Sequence, residues 1–273
     1  MTTTLFCCPI CAAQLSPVGN SYLCPARHTF DIARQGYVNL LTGRAAQQHG
    51  DNKEMIAARR DFLAAGYYDA LMRQVSDIAC RHATQSCRIL DAGCGECSYT
   101  DRIARALTEA NIPHEILGMD ISREALAIGG KKNKSLALAV ASLYHIPLES
   151  ESVDMLFEIF APHCHEEYRR VLRTGGKLVM VIPAARHLFG LKEALYATPY
   201  ENEVADTALD GFSLAEQISI RDTITLANET DLWNLFTMTP YFYRTSPQAK
   251  EQLRQKAPLT TEIAFEVLVY EKV

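Results

Sequence analysis

The sequence lacks the features that would tie it to a membrane, a secreted scaffold or a disordered tail. No apolar run approaches the roughly 18 residues of a membrane-spanning helix. The opening MTTTLFCCPIC has no basic segment followed by an apolar one, so no export signal is expected. No internal repeat is visible, and tryptophan occurs once in 273 residues. Without an export signal, the nine cysteines imply a reducing, cytoplasmic compartment, where thiols bind metals or pack rather than form disulfides. What is present is ordinary globular composition: 48% hydrophobic and 22% charged residues, enough to bury a core without cross-links. The net charge of −5 hides a split, with a basic excess in residues 1–90 and an acidic excess beyond them. A basic segment on an acidic body is what a local nucleic-acid contact surface looks like.

Residues 1–40 hold four of the nine cysteines and many turn residues, with little helical periodicity; they read as short hairpins. Residues 41–50 have no apolar pattern and read as a linker. From Asp51 to about His82 the apolar spacing predicts two short helices separated by Gly66. From Cys87 strands and helices alternate. RILDAG, EILGMDIS, LALAVAS, SVDMLFEIF and KLVMVIP read as strands, and TDRIARALTEA, REALAIGGKKN and EEYRRVLR as helices. Gly175–Gly176 is expected to turn the last helix into its strand. This alternation predicts an α/β fold, a parallel sheet with helices on both faces. QISIRDTITLA, the helix DLWNLFTM, a helix opened by Ser246 and Pro247, and the strand EIAFEVLVYE complete the chain.

The sharpest local pattern is Cys8-x2-Cys11 followed by Cys24-x3-His28. Two ligands two residues apart fit a tight turn that aims both at one ion, and a second turn completes a tetrahedron. Pro9 and Pro25 follow the first cysteine of each pair. A module of this size with few large apolar side chains gains folding free energy from zinc, and four protein ligands leave no position for water. The expected ion is therefore structural. Cys94-x2-Cys97 is a second such spacing, but it lies in a glycine-rich loop and is not read as a metal site.

That loop, Asp91-Ala92-Gly93-Cys94-Gly95-Glu96, follows a strand and precedes a helix. Its glycines let the backbone approach a ligand, and the helix start offers free N–H groups. An acid at the loop's start suits a ligand bearing an amine better than one bearing phosphates. Asp120, ending the next strand, is placed to accept hydrogen bonds from ribose hydroxyls.

DAGCGE, GMDIS, SVDMLFEIFAP and EEYRRVLRTGGKLVMVIP together resemble the ordered motifs of class I S-adenosylmethionine-dependent methyltransferases, over roughly residues 87–183. The resemblance implies a Rossmann-like sheet, with Asp91, Gly93 and Gly95 at the methionine end of the cofactor, Asp120 at its ribose, and Ser142 beside its adenine. Cys97 departs from the usual third glycine. With CPIC, CPARH, FDIARQGYVNLL and GDNKEMIAARRDFL in front, nearly the whole chain resembles the 23S ribosomal RNA guanine-N1 methyltransferases. That family implies a zinc-binding RNA-recognition domain at residues 1–40, a linker and helical segment at 41–84, and the methyltransferase domain at 85–273. It also implies a homodimer, and a target guanine in a hairpin lining the peptide exit tunnel.

Guanine N1 carries a proton that must leave for methylation, so a base or a solvent route is needed. Glu158 and His163, after the fourth strand, are the candidates, although His163 with Cys164 and His165 also reads as a solvated loop. Arg34, Lys53, Arg59 and Arg60, with Arg27 and Arg44, are candidates for RNA phosphates. Met55, Ile56, Phe62 and Leu63 mark the helix face opposite Arg59-Arg60. Phe160, Tyr37, Trp233, Tyr241 and Phe242 are candidates to stack on a base, or core residues. Two other readings stay open on the residues alone: a methyltransferase for a small quinone-like or antibiotic molecule, and a non-catalytic zinc-dependent RNA-binding protein.

Overall fold

The structure, a computed structural model, describes residues 5–42, 50–84, 86–204 and 207–273. Arg44 and most of the linker lie outside the described residues. The strands are β1 (Ser16–Val18), β2 (Ser21–Leu23), β3 (Thr29–Asp31), β4 (Tyr37–Asn39), β5 (Cys87–Ala92), β6 (His114–Asp120), β7 (Ala137–Val140), β8 (Val153–Ile159), β9 (Leu172–Pro183), β10 (Phe212–Leu226) and β11 (Leu259–Lys272). The helices are α1 (Lys53–Ala64), α2 (Asp69–His82), α3 (Ser98–Glu109), α4 (Arg123–Lys132), α5 (His165–Val171), α6 (Phe189–Leu195), α7 (Glu229–Thr237), α8 (Tyr241–Arg244) and α9 (Pro247–Arg254).

Eight strands form one sheet in the order β10-β11-β9-β8-β5-β6-β7-β4. From β9 to β4 the neighbours run parallel, and β11 and β10 are antiparallel. After β5 the chain winds outward through β6 and β7, then returns to β8 on the other side. The strand order therefore reverses between β5 and β8, and a crevice outside their carboxyl ends is the expected ligand site of such sheets. No helix among the described residues is long and apolar enough to cross a membrane.

Local signals set the helix starts. Asn52, Ser122, Asn228 and Ser246 each cap a helix by accepting a backbone N–H three residues on. Gly66, at φ +85°, separates α1 from α2 as the spacing implied. One expectation needs correction. Gly175-Gly176 does not precede the strand; β9 starts at Leu172 and the glycines form an irregularity within it, between the pairs Val153–Leu172 and Met155–Lys177. Helices lie on both sheet faces, but unequally. One face packs against α1–α4, α6, α7 and α9, through residues such as Phe62, Leu71, Ile103, Leu126, Leu191, Leu232 and Leu253. Residues 141–152, which join β7 to β8, form no helix, and among the described residues only α5 contributes helical core residues to that second face, Tyr168 and Val171.

The amino-terminal segment supplies the missing cover. Phe6, Cys8, Leu15 and Cys24 share one core with Leu117, Met119, Ala139, Ile146 and Leu148. Phe6 bridges to Leu148, and the Cys7 N–H donates to the Pro147 carbonyl at 2.8 Å. β4 then runs parallel to β7 as the sheet's edge strand. The cysteine-bearing segment is thus built into the large sheet's core, because the apolar face of β6 and β7 needs more cover than residues 141–152, which form no helix, provide through Ile146 and Leu148.

Candidate active site and metal centre

Cys8, Cys11, Cys24 and His28 converge, with their four ligand atoms all within 4.8 Å of one another. Cys8 Sγ lies 3.4 Å and Cys24 Sγ 3.3 Å from His28 Nδ1, and Cys11 Sγ lies 3.6 Å from Cys24 Sγ. Bonds of about 2.3 Å to sulfur and 2.0 Å to nitrogen give tetrahedral edges of about 3.5–3.8 Å, so this donor set fits zinc. Each pair sits on a tight turn closed by a backbone bond: Ala12 N–H to Cys8 O, and Arg27 N–H to Cys24 O, both 2.8 Å. Ala12 and Arg27 take left-handed φ values of 59° and 64° to make those turns. No other cluster of potential metal ligands occurs among the described residues.

The glycine loop follows β5 at the reversal point. Gly93 and Gly95 have φ values of +87° and +55°, and a Cβ on Gly93 would stand 2.5 Å from that of Ala161. Only glycine meets both demands there. Asp91 is buried beneath the loop, and the Thr100 hydroxyl donates to it at 2.5 Å. Burial pushes its carboxyl up to about 7, partly offset by Thr100 and reinforced by the charges of Asp120 and Glu96. Asp120 is raised too, chiefly by burial, although Ser122 and Gly95 donate backbone N–H groups to its two oxygens at 2.7 and 2.9 Å. Those oxygens retain lone pairs for two hydroxyls. Ser142 lies just beyond β7; the neighbouring Ala141 N–H donates to the Asp120 carbonyl.

Other residues at this site were given no cofactor role by the sequence, although Glu96 lies in DAGCGE and Asp51 and Arg59 in GDNKEMIAARRDFL. Glu96 Oε2 and the Tyr99 hydroxyl are buried with no hydrogen-bond partner among the described residues. Asp51 lies beside the loop through Arg59, which is paired with Asp51 and lies 3.8 Å from Glu96. Asp51, Glu96 and Asp120 thus gather around one arginine, and Asp91 adjoins Glu96 and Asp120. Such an excess of acid suits a cationic ligand, and the sulfonium and ammonium of S-adenosylmethionine fit it. Tyr68 and His187 form a further buried pair, with hydroxyl and Nε2 3.4 Å apart. Burial and the Lys192 charge lower the His187 pKa to about 3, so its imidazole is neutral.

At the carboxyl end of β8, Glu158 is 1% exposed and its Oε2 lies 2.6 Å from His163 Nδ1. That bond, against a smaller opposing effect of burial, raises the His163 pKa. Phe160 is exposed, holds φ +57°, and rests its ring against Phe265 at 5.5 Å between centroids. Trp233 and Phe242 instead pack with Phe236 and lie under the charged ends of Arg254 and Lys250. Tyr241 packs edge-on against Tyr196, and Tyr37 lies half-buried in β4.

The basic candidates separate. Arg59 turns inward to Asp51 and Glu96 and does not stand free for phosphates, because its helix lies over the acid-rich loop. Arg60 is exposed and paired with Asp61. Lys53 is exposed at the start of α1, and Arg34 and Arg27 are exposed on the amino-terminal segment.

Two family models match the chain: the zinc ribbon described as RlmA, N-terminal, over residues 6–45, and the methyltransferase domain over residues 90–180. A Micromonospora griseorubida protein provisionally named 23S rRNA (guanine-N1-)-methyltransferase is 36% identical over 264 residues, covering 88% of this chain and 87% of that one. The 23S rRNA (guanine(748)-N1)-methyltransferase of Streptomyces fradiae is 31% identical over 268 residues, 95% of this chain and 93% of its own. Among solved structures, a chain in the complex of the Haloferax volcanii Trm112 methyltransferase activator with a methyltransferase shares the fold, with a TM-score of 0.50, 17% identity, and coverage of 82% of this chain and 99% of that one. The protein is thus an S-adenosylmethionine-dependent methyltransferase with a structural zinc site, and the chain belongs to the family of 23S rRNA (guanine-N1)-methyltransferases.

Proposed function

We propose that this enzyme methylates N1 of a guanine in 23S ribosomal RNA, with His163 as the base that takes the N1 proton and Glu158 as the group that orients it. The Glu158–His163 contact of 2.6 Å carries this reading. Glu158 is fixed in the sheet, and Ala161, two residues before His163, abuts Gly93 of the cofactor loop. With Nδ1–H donated to Glu158, Nε2 keeps its lone pair for a proton. The Glu158 carboxylate stabilises the imidazolium that forms, as the raised His163 pKa reflects. S-adenosylmethionine supplies the electrophilic methyl group. Asp91, Gly93, Gly95, Asp120 and Ser142 hold it, so that positioning does most of the catalytic work.

Phe160 offers its exposed face to the unpaired guanine. A bulky side chain held at positive φ beside such a site is strain that serves a role. Because N1 is engaged in a base pair within a duplex, the guanine is taken from a loop or flipped out. The family resemblance supports a hairpin of the peptide exit tunnel as the target, homodimers as the working form and the cytoplasm as the compartment. Arg34, Lys53 and Arg60, all exposed, are the phosphate contacts among the six basic candidates that fit best.

The test is methyl transfer from labelled S-adenosylmethionine to ribosomal RNA from cells lacking the protein, followed by nuclease digestion and mass spectrometry. One N1-methylguanosine in the large-subunit RNA is expected. Label absent from RNA while cofactor still binds would reject the RNA substrate.

A further inference from the structure

Arg59 was expected to face RNA, and its surroundings point elsewhere. Its Nη2 is held by Asp51. Its Nη1 makes no hydrogen bond among the described residues; the nearest acid oxygen, Glu96 Oε2, is 3.8 Å away, beyond hydrogen-bond reach. That oxygen is itself buried and unpartnered. The same Nη1 stands 3.4 Å from where a Cβ on Gly95 would be, so the guanidinium edge lies against the loop at Gly95. The arginine's side chain is 27% exposed, so solvent reaches it in the ligand-free protein. In the ligand-free protein the Nη1 edge is left to solvent, while the buried Glu96 oxygen has only the 3.8 Å ion pair to Arg59 and no hydrogen bond, which is costly. A ligand with one anionic and one cationic group satisfies both.

The amino-acid end of S-adenosylmethionine is such a ligand. We propose that Arg59 receives its α-carboxylate through Nη1, while Asp51 anchors the other half of the guanidinium and the ammonium faces the acids Asp91 and Glu96. Arg59 is then a cofactor-positioning residue that recognises an intact amino acid. Asp51, whose neighbour Gly50 would crowd Ile121 and Ser122 if it bore a Cβ, ties this contact to the closely packed segment leading into α1. The assignment rests on the cofactor use established above.

The test is calorimetric titration of the full-length, zinc-loaded protein with S-adenosylmethionine and with decarboxylated S-adenosylmethionine, which lacks only the carboxylate. The native protein is expected to bind the intact cofactor about 10- to 100-fold more tightly, the range of a charge-assisted hydrogen bond. Arg59→Gln is expected to remove that preference by weakening the intact cofactor alone, and Arg59→Lys to restore part of it. Equal weakening of both ligands in Arg59→Gln would make Arg59 a mere support of the loop. Equal binding of both by the native protein would overturn the assignment even if the variant does not fold. Failure of the native protein to bind S-adenosylmethionine at all would instead overturn the cofactor site itself.

Discussion

The Cys97 thiol fills the space that a side chain on Gly129 would need: a Cβ there would come within 2.4 Å of the Cys97 sulfur and 2.9 Å of its Cβ. Cys97 stands where related loops carry a third glycine, and it keeps the left-handed conformation, φ +65°, that glycine adopts without strain. The loop therefore retains its path, and α4 accommodates the extra side chain by being bare at Gly129. Ala is normally the better helix former by about 1 kcal/mol, yet Gly129→Ala is expected to destabilise by about 1–3 kcal/mol through overpacking. Cys97→Gly should suppress much of that loss. Urea denaturation of the two single variants and the double variant checks it, and additive effects would show that the two residues are not coupled.

Gly93→Val should abolish binding of S-adenosylmethionine. Its side chain would meet Ala161 at a backbone angle that β-branched residues avoid. Calorimetry on the folded variant is the check, and retained binding would mean that the cofactor lies elsewhere.

Zinc removal should weaken the whole molecule. Cys8 and Cys24 belong to the core that also holds Leu117, Met119 and Ala139. Loss of the ion frees a large part of one sheet face. A chelator is expected to lower the melting temperature of the main transition by on the order of 10 °C. A methyltransferase transition that stays unmoved in scanning calorimetry would show the zinc segment to be independent.

Glu158→Gln should shift the pH dependence of methyl transfer. The Glu158 bond raises the His163 pKa, so His163 is neutral and able to accept a proton only above that raised value. Activity should therefore climb with pH through it. Removing the carboxylate charge returns His163 toward its ordinary value of about 6.5 and moves the rising limb to lower pH. His163→Ala should lower kcat by about 100-fold or more. An unshifted profile in Glu158→Gln would remove His163 from the chemistry.

Cofactor binding should release a proton near neutrality. Asp91, pushed up to about 7 by burial, holds its proton in the ligand-free protein below that pH. A bound ammonium favours the carboxylate, so affinity should rise as pH climbs toward 7 and level off above it. The same shift means that Asp91 lowers the stability of the ligand-free fold as pH rises from about 4 through 7. Titrations at pH 6.5 in buffers of different ionisation enthalpy measure the release, and a buffer-independent heat would contradict it.

The amino-acid order alone determined the short-range features. Two liganding turns, a glycine loop between strand and helix, and the alternation of periods 2 and 3.6 are each written within a few residues, since local backbone sterics and burial on one face impose them. Glu158 and His163 were each singled out from their place near the end of one strand, and the structure sets them 2.6 Å apart. Only the tertiary structure decided that β4 closes the edge of the large sheet, that the zinc segment completes the cover of a face where residues 141–152 form no helix, and that Arg59 turns toward Asp51 and Glu96. Arg59 and Arg60 are adjacent in the chain and chemically alike, and their different surroundings arise from α1 lying over a loop formed more than thirty residues later. Spacing records which face of a helix is apolar; which charges await a polar side chain depends on segments brought together by packing, and no local pattern encodes that.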